Sequence, residues 1–173
     1  MISARIADER ALLVLELRFL LGVEERLDLV LARLAGECQD IQLRRGLERH
    51  RRETAQHALN LETALRVLGE NPASLEPPSL EGLEREHAET LAGVPAGTAP
   101  EVGDLVVSGS GARIEHYEIS SYEAALEKAE LLGEEDVGEL LRGNLEDERR
   151  MLDEGRAVSH RLASTLRRRR ARA

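Results

Sequence analysis

Aromatic residues are scarce in this sequence: only Phe19, Tyr117 and Tyr122 occur among 173 residues, and tryptophan is absent. No run of about 18 uncharged apolar residues occurs, so we expect no membrane-spanning helix. The Leu-rich beginning is interrupted by charged residues and lacks a small-residue cleavage site, so we expect no signal peptide. The single cysteine, Cys38, cannot form an internal disulfide, which fits a protein of the reducing cytoplasm.

The residues that are abundant are typical of a helical protein. Hydrophobic residues make up 42% of the chain and charged residues 33%, so there is enough apolar surface to offset the entropy lost on folding. Leu, Ala, Glu and Arg dominate and β-branched runs are lacking, which predicts an all-α bundle in one domain. The 33 acidic residues exceed the 24 basic ones and give a net charge of −9, which argues against nucleic acid as the main partner.

Apolar residues recur at helical spacing in four long segments, at about 6–35, 40–68, 101–132 and 134–166. A proline-containing connection after the second segment carries a short predicted helix at 80–91. The connections within the first pair and within the second pair of segments are short, so each pair is predicted to be antiparallel. This is the one-crossover topology of ferritin-like four-helix bundles, which we expect to cover residues 1–166.

Two stretches are less regular. The sequence VVSGSGAR at 106–113 would weaken a helix, because each glycine costs about 1 kcal/mol relative to alanine. Either two helices approach closely there, or the third long helix begins later. The basic tail at 167–173 could bind nucleic acid or acidic lipid, but we favour a solvated, frayed end.

A carboxylate interrupts the apolar stripe of the first helix. Positions 13, 17, 20, 24, 27, 31 and 34 alternate steps of three and four, and every member is leucine except Glu24. A buried carboxylate is costly unless it is paired, protonated or bound to a metal ion. The alternative is that Glu24 lies at the edge of the stripe and reaches solvent.

The second helix carries further polar residues in its inward-facing part. Glu53 and His57 are four residues apart, so both side chains can project from one face toward the same point. Carboxylate and imidazole are suitable ligands for iron, manganese or zinc. His50, one turn earlier, is interpreted as a partner of a ligand. Alternatively, Glu53 and His57 form a surface ion pair.

The third and fourth long helices each add an inward acid. Glu118 follows the helical spacing of the third stripe, with Glu115 one turn before it on the same side. Glu148 is the inward carboxylate of the fourth helix, whereas Asp153 is rotated away from that face. Four acids from four helices would repel one another strongly without counter-charge. A pair of divalent cations would resolve this conflict.

Four segments of the sequence resemble the YciF-type ferritin-like proteins, which are small bacterial proteins linked with stress response and have no assigned biochemical activity. The segments are VEERL (23–27), HRRETAQH (50–57), IEHYEISSYEAALEKAELLG (114–133) and LLRGNLEDERRMLDE (140–154). The resemblance implies a ferritin-like four-helix fold, a homodimer and a dinuclear metal site between the helices. By position, it implies the ligands Glu24, Glu53, His57, Glu115, Glu118 and Glu148. The family often has an acid four residues after the position of Glu148. In this sequence that position is Leu152, and Asp153 follows it.

We therefore expect a protein that binds two iron ions, with manganese or zinc as other possible metals, and consumes peroxide or O₂. Glu53 and Glu118 are predicted to bridge the metals, with Glu24, His57 and Glu148 as terminal ligands. The alternative is a non-catalytic helical dimer or interaction scaffold with a vestigial site. In that case the acids would pair with Arg33, Arg51 or Arg113. Cys38 is expected to be inert, and His87, in the short helix, to be solvated.

Overall fold

The computed structural model describes residues 6–172 and contains five α-helices, with no strand in that range. They are α1 (Glu9–Glu37), α2 (Ile41–Val67), α3 (Pro78–Ala92), α4 (Pro100–Leu132) and α5 (Glu135–Arg170). Among these residues, no helix is both long enough and apolar enough to span a bilayer. The prediction of an all-α protein is confirmed.

The four long helices enclose one common core. Helix α1 packs on α2, α2 on α5, α5 on α4, and α4 on α1, while the short α3 packs on α4. Local signals set the helix ends. The Asp8 carboxylate accepts a hydrogen bond from the Ala11 amide at 2.8 Å, and Asp40 caps α2 in the same way. Gly133, at φ +71°, ends α4 in the left-handed conformation that glycine adopts without strain.

The irregular stretches differ from expectation in their details. Helix α4 begins at Pro100 and runs unbroken through the glycine- and serine-rich stretch, so the alternative of a later start is wrong. A Cβ atom at Gly111 would meet no atom of the described chain within 4 Å, so a close approach of two helices does not explain this glycine either. Helix α5 continues to Arg170, beyond the predicted end, and Arg169 forms a 3.0 Å ion pair with Glu101.

Two apolar clusters fill the core and adjoin near the middle of α1. The first contains the inward apolar residues of α1 between positions 13 and 21 together with Leu61 and Leu141, and the second contains those between positions 23 and 35 together with Leu47 and Leu80. The stripe predicted for α1 is buried at all seven positions, so Glu24 lies in the interior where the clusters meet. Polar side chains from the other long helices also point to this place, where the two apolar clusters meet.

The connection between α2 and α4 is fixed to the bundle at two places. The Leu75 amide donates a hydrogen bond to the Arg18 carbonyl at 2.9 Å, and a Cβ atom at Gly22 would lie only 1.9 Å from the Leu75 carbonyl oxygen. Further along, His87 is 4% exposed and lies 2.7 Å from Glu37 Oε2 and 2.9 Å from the Ser110 hydroxyl. The expectation of a solvated His87 is therefore wrong: its ring joins α3 to α1 and α4.

Candidate metal centre

Six ionisable side chains from four helices meet in the bundle interior, and none of them is more than 3% exposed. Helix geometry brings them together, because residues three, four or seven positions apart lie on one helix face. They are Glu24 of α1, His50 and His57 of α2, Glu115 and Glu118 of α4, and Glu148 of α5.

The six side chains form two groups that could each hold a metal ion. One group contains His50, Glu115, Glu118 and Glu148, and the other contains Glu24, His57 and Glu148. Within each group, the potential ligand atoms all lie within 4.8 Å of one another. Glu148 belongs to both groups.

The two oxygens of Glu148 face different histidines. Its Oε1 lies 2.8 Å from His57 Nδ1, and its Oε2 lies 3.5 Å from His50 Nε2. The second ligand atom near each histidine is also a carboxylate oxygen. Glu24 Oε1 lies 3.5 Å from His57 Nδ1, and Glu115 Oε1 lies 3.3 Å from His50 Nε2. One carboxylate thus spans the two groups, as a bridging ligand does.

Many polar atoms of this cluster lack a hydrogen bond. Within residues 6–172, nine buried nitrogen and oxygen atoms of the six side chains make none of acceptable geometry, including both oxygens of Glu118 and of Glu148 and both ring nitrogens of His50. Buried polar groups in folded proteins are nearly always satisfied. The cluster therefore has unused capacity for a ligand.

Burial and like charge shift the protonation of the cluster. Burial raises the pKa of both Glu115 and Glu118 well above the usual value, and the charge of Glu148 raises each further. Burial also raises the pKa of Glu24. Burial acts to raise the pKa of Glu148, yet the adjacent His57 ring, 2.8 Å from its Oε1, and the charge of a neighbouring histidine lower that pKa. At His57, burial acts to lower the pKa, but the carboxylates of Glu148 and Glu24, 2.8 and 3.5 Å from its Nδ1, raise the pKa to about 11.

A network of uncharged groups holds the outer side of the cluster. The Tyr122 hydroxyl donates a hydrogen bond to Glu24 Oε1, and Asn144 Nδ2 donates to that hydroxyl at 3.0 Å and to the His57 carbonyl at 3.3 Å. Burial, and then the charge of Glu24, raise the pKa of Tyr122 well above 10, so its hydroxyl keeps its proton. On the other side, Asp147 lies 3.3 Å from His57 Nε2. These contacts fix the orientation of Glu24 and His57.

Glu53 lies beside the cluster rather than in either group. Its Oε1 lies 2.9 Å from Arg150 Nη2, its Oε2 lies 3.7 Å from His50 Nδ1, and its side chain is 21% exposed. The nearby His50 ring, with its Nδ1 3.7 Å from Oε2, lowers the pKa of Glu53 to about 2, helped by Arg150 and opposed by burial. The other five predicted ligands are all brought together. The bridging role of Glu53 stays a prediction that this placement does not favour.

The spacing of the inward positions of α2 contains a signal for His50 as a member of the cluster. Positions 47, 50, 54, 57 and 61 of α2 alternate steps of three and four, as the stripe of α1 does, and all five are buried. His50 and His57 belong to this stripe, whereas Glu53 lies beside it. Asp153 is 79% exposed and Leu152 is buried, so the neighbouring aspartate does not replace the missing acid.

The arginines of the scaffold alternative do not pair with the buried acids. Arg33 pairs with Glu84 at 2.8 Å, Arg51 with Asp28 at 2.6 Å and Arg113 with Glu86 at 3.1 Å, all near the surface. The pairing expected by that alternative is therefore wrong.

Comparison with known proteins identifies relatives without naming a chemical activity. A family model described as a domain of unknown function (DUF892) matches residues 8–165. No curated protein matches the chain. The fold is similar to that of YcfI from Rhodopseudomonas palustris, described as a candidate structural protein, with 26% identity, a TM-score of 0.84, and coverage of 90% of this chain and 98% of that one.

Two further solved structures share the fold. The Escherichia coli stress protein YciF is 22% identical, with a TM-score of 0.84 and coverage of 91% of this chain and 98% of that one. A protein from Xanthomonas campestris is 21% identical, with a TM-score of 0.75 and coverage of 95% and 99%. The resemblance to YciF-type proteins is confirmed.

Proposed function

The chain belongs to the DUF892 family, whose function is unknown, and we propose that this member is a dinuclear metal-binding protein. The observation that carries the proposal is the set of nine buried nitrogen and oxygen atoms without hydrogen bonds, contributed by six side chains on four helices. Such atoms cost free energy in a protein interior unless a ligand satisfies them. Two cations between the helices would do so.

The charge of the cluster supports two divalent ions rather than one. Four carboxylates carry four negative charges when ionised, and two neutral imidazoles add none, so two divalent cations make the centre neutral. Oxygen and imidazole nitrogen ligands suit iron and manganese, and also zinc. We propose iron, with manganese or zinc as alternatives.

The two groups suggest which residues hold each ion. We assign Glu24 and His57 to one ion and His50, Glu115 and Glu118 to the other, with Glu148 bridging both. The hydrogen bonds from Tyr122 to Glu24 and between Asp147 and His57 would orient two of these ligands.

Redox chemistry is the activity that this ligand set supports best. Two ferrous ions held by these six residues would supply two electrons, which is what the reduction of one hydrogen peroxide and two protons to two water molecules requires, and would become ferric. The carboxylates favour the higher charge of the ferric state, and burial among leucines excludes bulk water. Since one structural relative is a stress protein, we place this consumption of peroxide or O₂ in a stress response.

The topology supports the same proposal. Two helical hairpins, α1–α2 and α4–α5, joined by a long crossover that carries α3, correspond to the ferritin-like arrangement in which such centres are built. A homodimer is also part of the proposal, and analytical ultracentrifugation would test it.

Metal content after anaerobic loading with Fe(II) tests the assignment. We expect two iron ions per chain in the wild type, one in Glu24→Gln, and loss of both in Glu148→Gln. Glu146→Gln is the matched control, because this neighbouring carboxylate on α5 is exposed and belongs to neither group. Glu53→Gln should retain two ions if Glu148, rather than Glu53, is the bridge.

Less than one iron ion per chain in the wild type, with no change in Glu148→Gln, would contradict the proposal. The scaffold alternative is supported only by the description of YcfI as a candidate structural protein. It predicts no effect of metal on the melting temperature, whereas specific binding raises it by mass action.

A further inference from the structure

A surface groove continues inward toward the carboxylate cluster. The groove lies between α2 and α5 and has a volume of about 370 Å³. A smaller cavity of about 20 Å³, enough for one water-sized molecule, lies below it between α2, α4 and α5. Both are lined by Leu43, Leu47, Met151 and Gly155, and the inner cavity also reaches Glu115. We call the groove and the inner cavity together the α2–α5 passage.

Two glycines line the inner cavity without a packing reason to be glycine. Gly111 of α4 and Gly155 of α5 both line the inner cavity, and a Cβ atom at either would meet no atom of the described chain within 4 Å. Neither has a positive φ, so turn geometry does not require glycine there, and the open Cβ positions show that close helix packing does not require it either. Each glycine nevertheless costs about 1 kcal/mol in a helix interior. What both positions share is open space next to the cavity.

The inner end of the passage is an unsatisfied carboxylate. Glu115 is 3% exposed, its Oε2 makes no hydrogen bond, and it lines the inner cavity. It also belongs to the group of His50, Glu118 and Glu148. A molecule that entered the passage would therefore arrive at one of the two proposed metal positions.

The lining of the passage selects against cations. Its inner wall is apolar apart from Glu115 and Ser108, and a desolvated ion would lose several kcal/mol of hydration free energy there. Arg45 and Arg49 line the outer groove, and because Arg49 pairs with Glu154, one excess positive charge remains to repel cations. A small neutral molecule meets neither the hydration cost nor the repulsion.

We propose that the α2–α5 passage admits a small neutral oxidant, dioxygen or hydrogen peroxide, to the cluster at Glu115. This inference rests on the proposed function for the fate of the oxidant, but the passage itself is testable without metal. Gly111 and Gly155 are assigned as residues that keep the passage open, and Met151 as the side chain between the groove and the inner cavity.

The metal-free protein provides the first test. Crystals under krypton pressure should show krypton beside Gly111 in the wild type and none there in Gly111→Ala. The matched control is Gly143→Ala. Like Gly111, Gly143 lies inside a helix and has no atom of the described chain within 4 Å of its Cβ position, but it lines neither cavity. Both alanine variants should melt about 2–4 °C higher than the wild type, the shift expected for replacing a helical glycine in a chain of this size.

The iron-loaded protein provides the second test. The second-order rate constant for oxidation of bound Fe(II) should fall at least tenfold in Gly111→Ala and in Gly155→Ala, and stay unchanged in Gly143→Ala, at equal iron content. The reaction is measured separately with dioxygen and with hydrogen peroxide. The oxidant that uses the passage is the one whose rate constant is lower in Gly111→Ala and Gly155→Ala than in the wild type.

Three outcomes would overturn the inference: no krypton in the wild-type cavity, a lower melting temperature in Gly111→Ala, or equal rate constants in all variants with both oxidants. If no metal binds, the proposed function fails by itself, and the krypton and melting results still decide whether the passage exists.

Discussion

Replacing Gly22 by alanine tests how the crossover is seated on α1. The ideal Cβ position at Gly22 lies 1.9 Å from the Leu75 carbonyl oxygen and 2.9 Å from the Leu75 carbonyl carbon. Both are backbone atoms, so no side-chain rotation can relieve the clash. The crossover must move by at least about 1 Å to restore a 3.0 Å separation from the new methyl group.

The expected cost follows from three contributions. Overpacking of this kind costs about 1–3 kcal/mol. The displacement also weakens the hydrogen bond from the Leu75 amide to the Arg18 carbonyl, which is worth about 1 kcal/mol. The better helix propensity of alanine returns about 1 kcal/mol. We therefore expect Gly22→Ala to lower the free energy of unfolding by about 1–3 kcal/mol.

Urea unfolding followed by circular dichroism measures this difference, with Gly143→Ala as the control. Gly143 is also inside a helix, but its Cβ position is open, so its replacement should raise the free energy of unfolding by about 1 kcal/mol. The two substitutions are chemically identical and are expected to have opposite signs. Equal shifts in the same direction would refute the proposed seating of the crossover.

Three further predictions concern titratable and polar groups. With a chelator present, the melting temperature should decrease as the pH rises from about 6 to about 9. The reason is that the folded protein holds protons on His57 (pKa about 11) and on Glu118 (pKa raised by burial) that the unfolded chain releases. Glu118→Gln should make the melting temperature less dependent on pH, and a melting temperature that increases with pH would contradict the prediction. His87→Ala should cost about 1–3 kcal/mol in urea unfolding, since its buried hydrogen bonds to α1 and α4 are lost, whereas the exposed His160→Ala should change little. Burial raises the pKa of Cys38 to about 12, so a thiol reagent at neutral pH should label this residue only after unfolding. Rapid labelling of the folded protein would show that the connection between α1 and α2 opens.

Prediction from the sequence was most accurate for side chains whose position depends on a single helix. The seven-position stripe of α1 required only helical periodicity, and Glu24 is buried within it as expected. Glu118 and Glu148 were found by the same reasoning. Periodicity places a residue on a helix face, and burial of that face places the side chain in the core.

Prediction was less accurate for side chains whose position depends on contacts between two helices. Glu53 and His50 are one turn apart on α2, and the spacing alone did not rank them. Arg150 of α5 attracts Glu53 to the edge of the bundle and leaves His50 as the inward group. The burial of His87 similarly depends on Glu37 and Ser110, which lie 50 and 23 residues away in the chain. Contacts of this kind follow from the packing of helices, which a single sequence does not specify.

Folding and metal binding make opposite demands on the central acids. Without metal, Glu118 contributes two buried oxygens with no hydrogen bond, and its burial beside Glu148 raises its pKa, so keeping it ionised costs stability. With metal, the same charge becomes a ligand and its cost is offset. Glu118→Gln should therefore raise the melting temperature of the metal-free protein at high pH while reducing the amount of metal bound. A helical scaffold that needed no metal would gain nothing from retaining this carboxylate, so opposite changes in the two measurements would favour the metal centre over the scaffold.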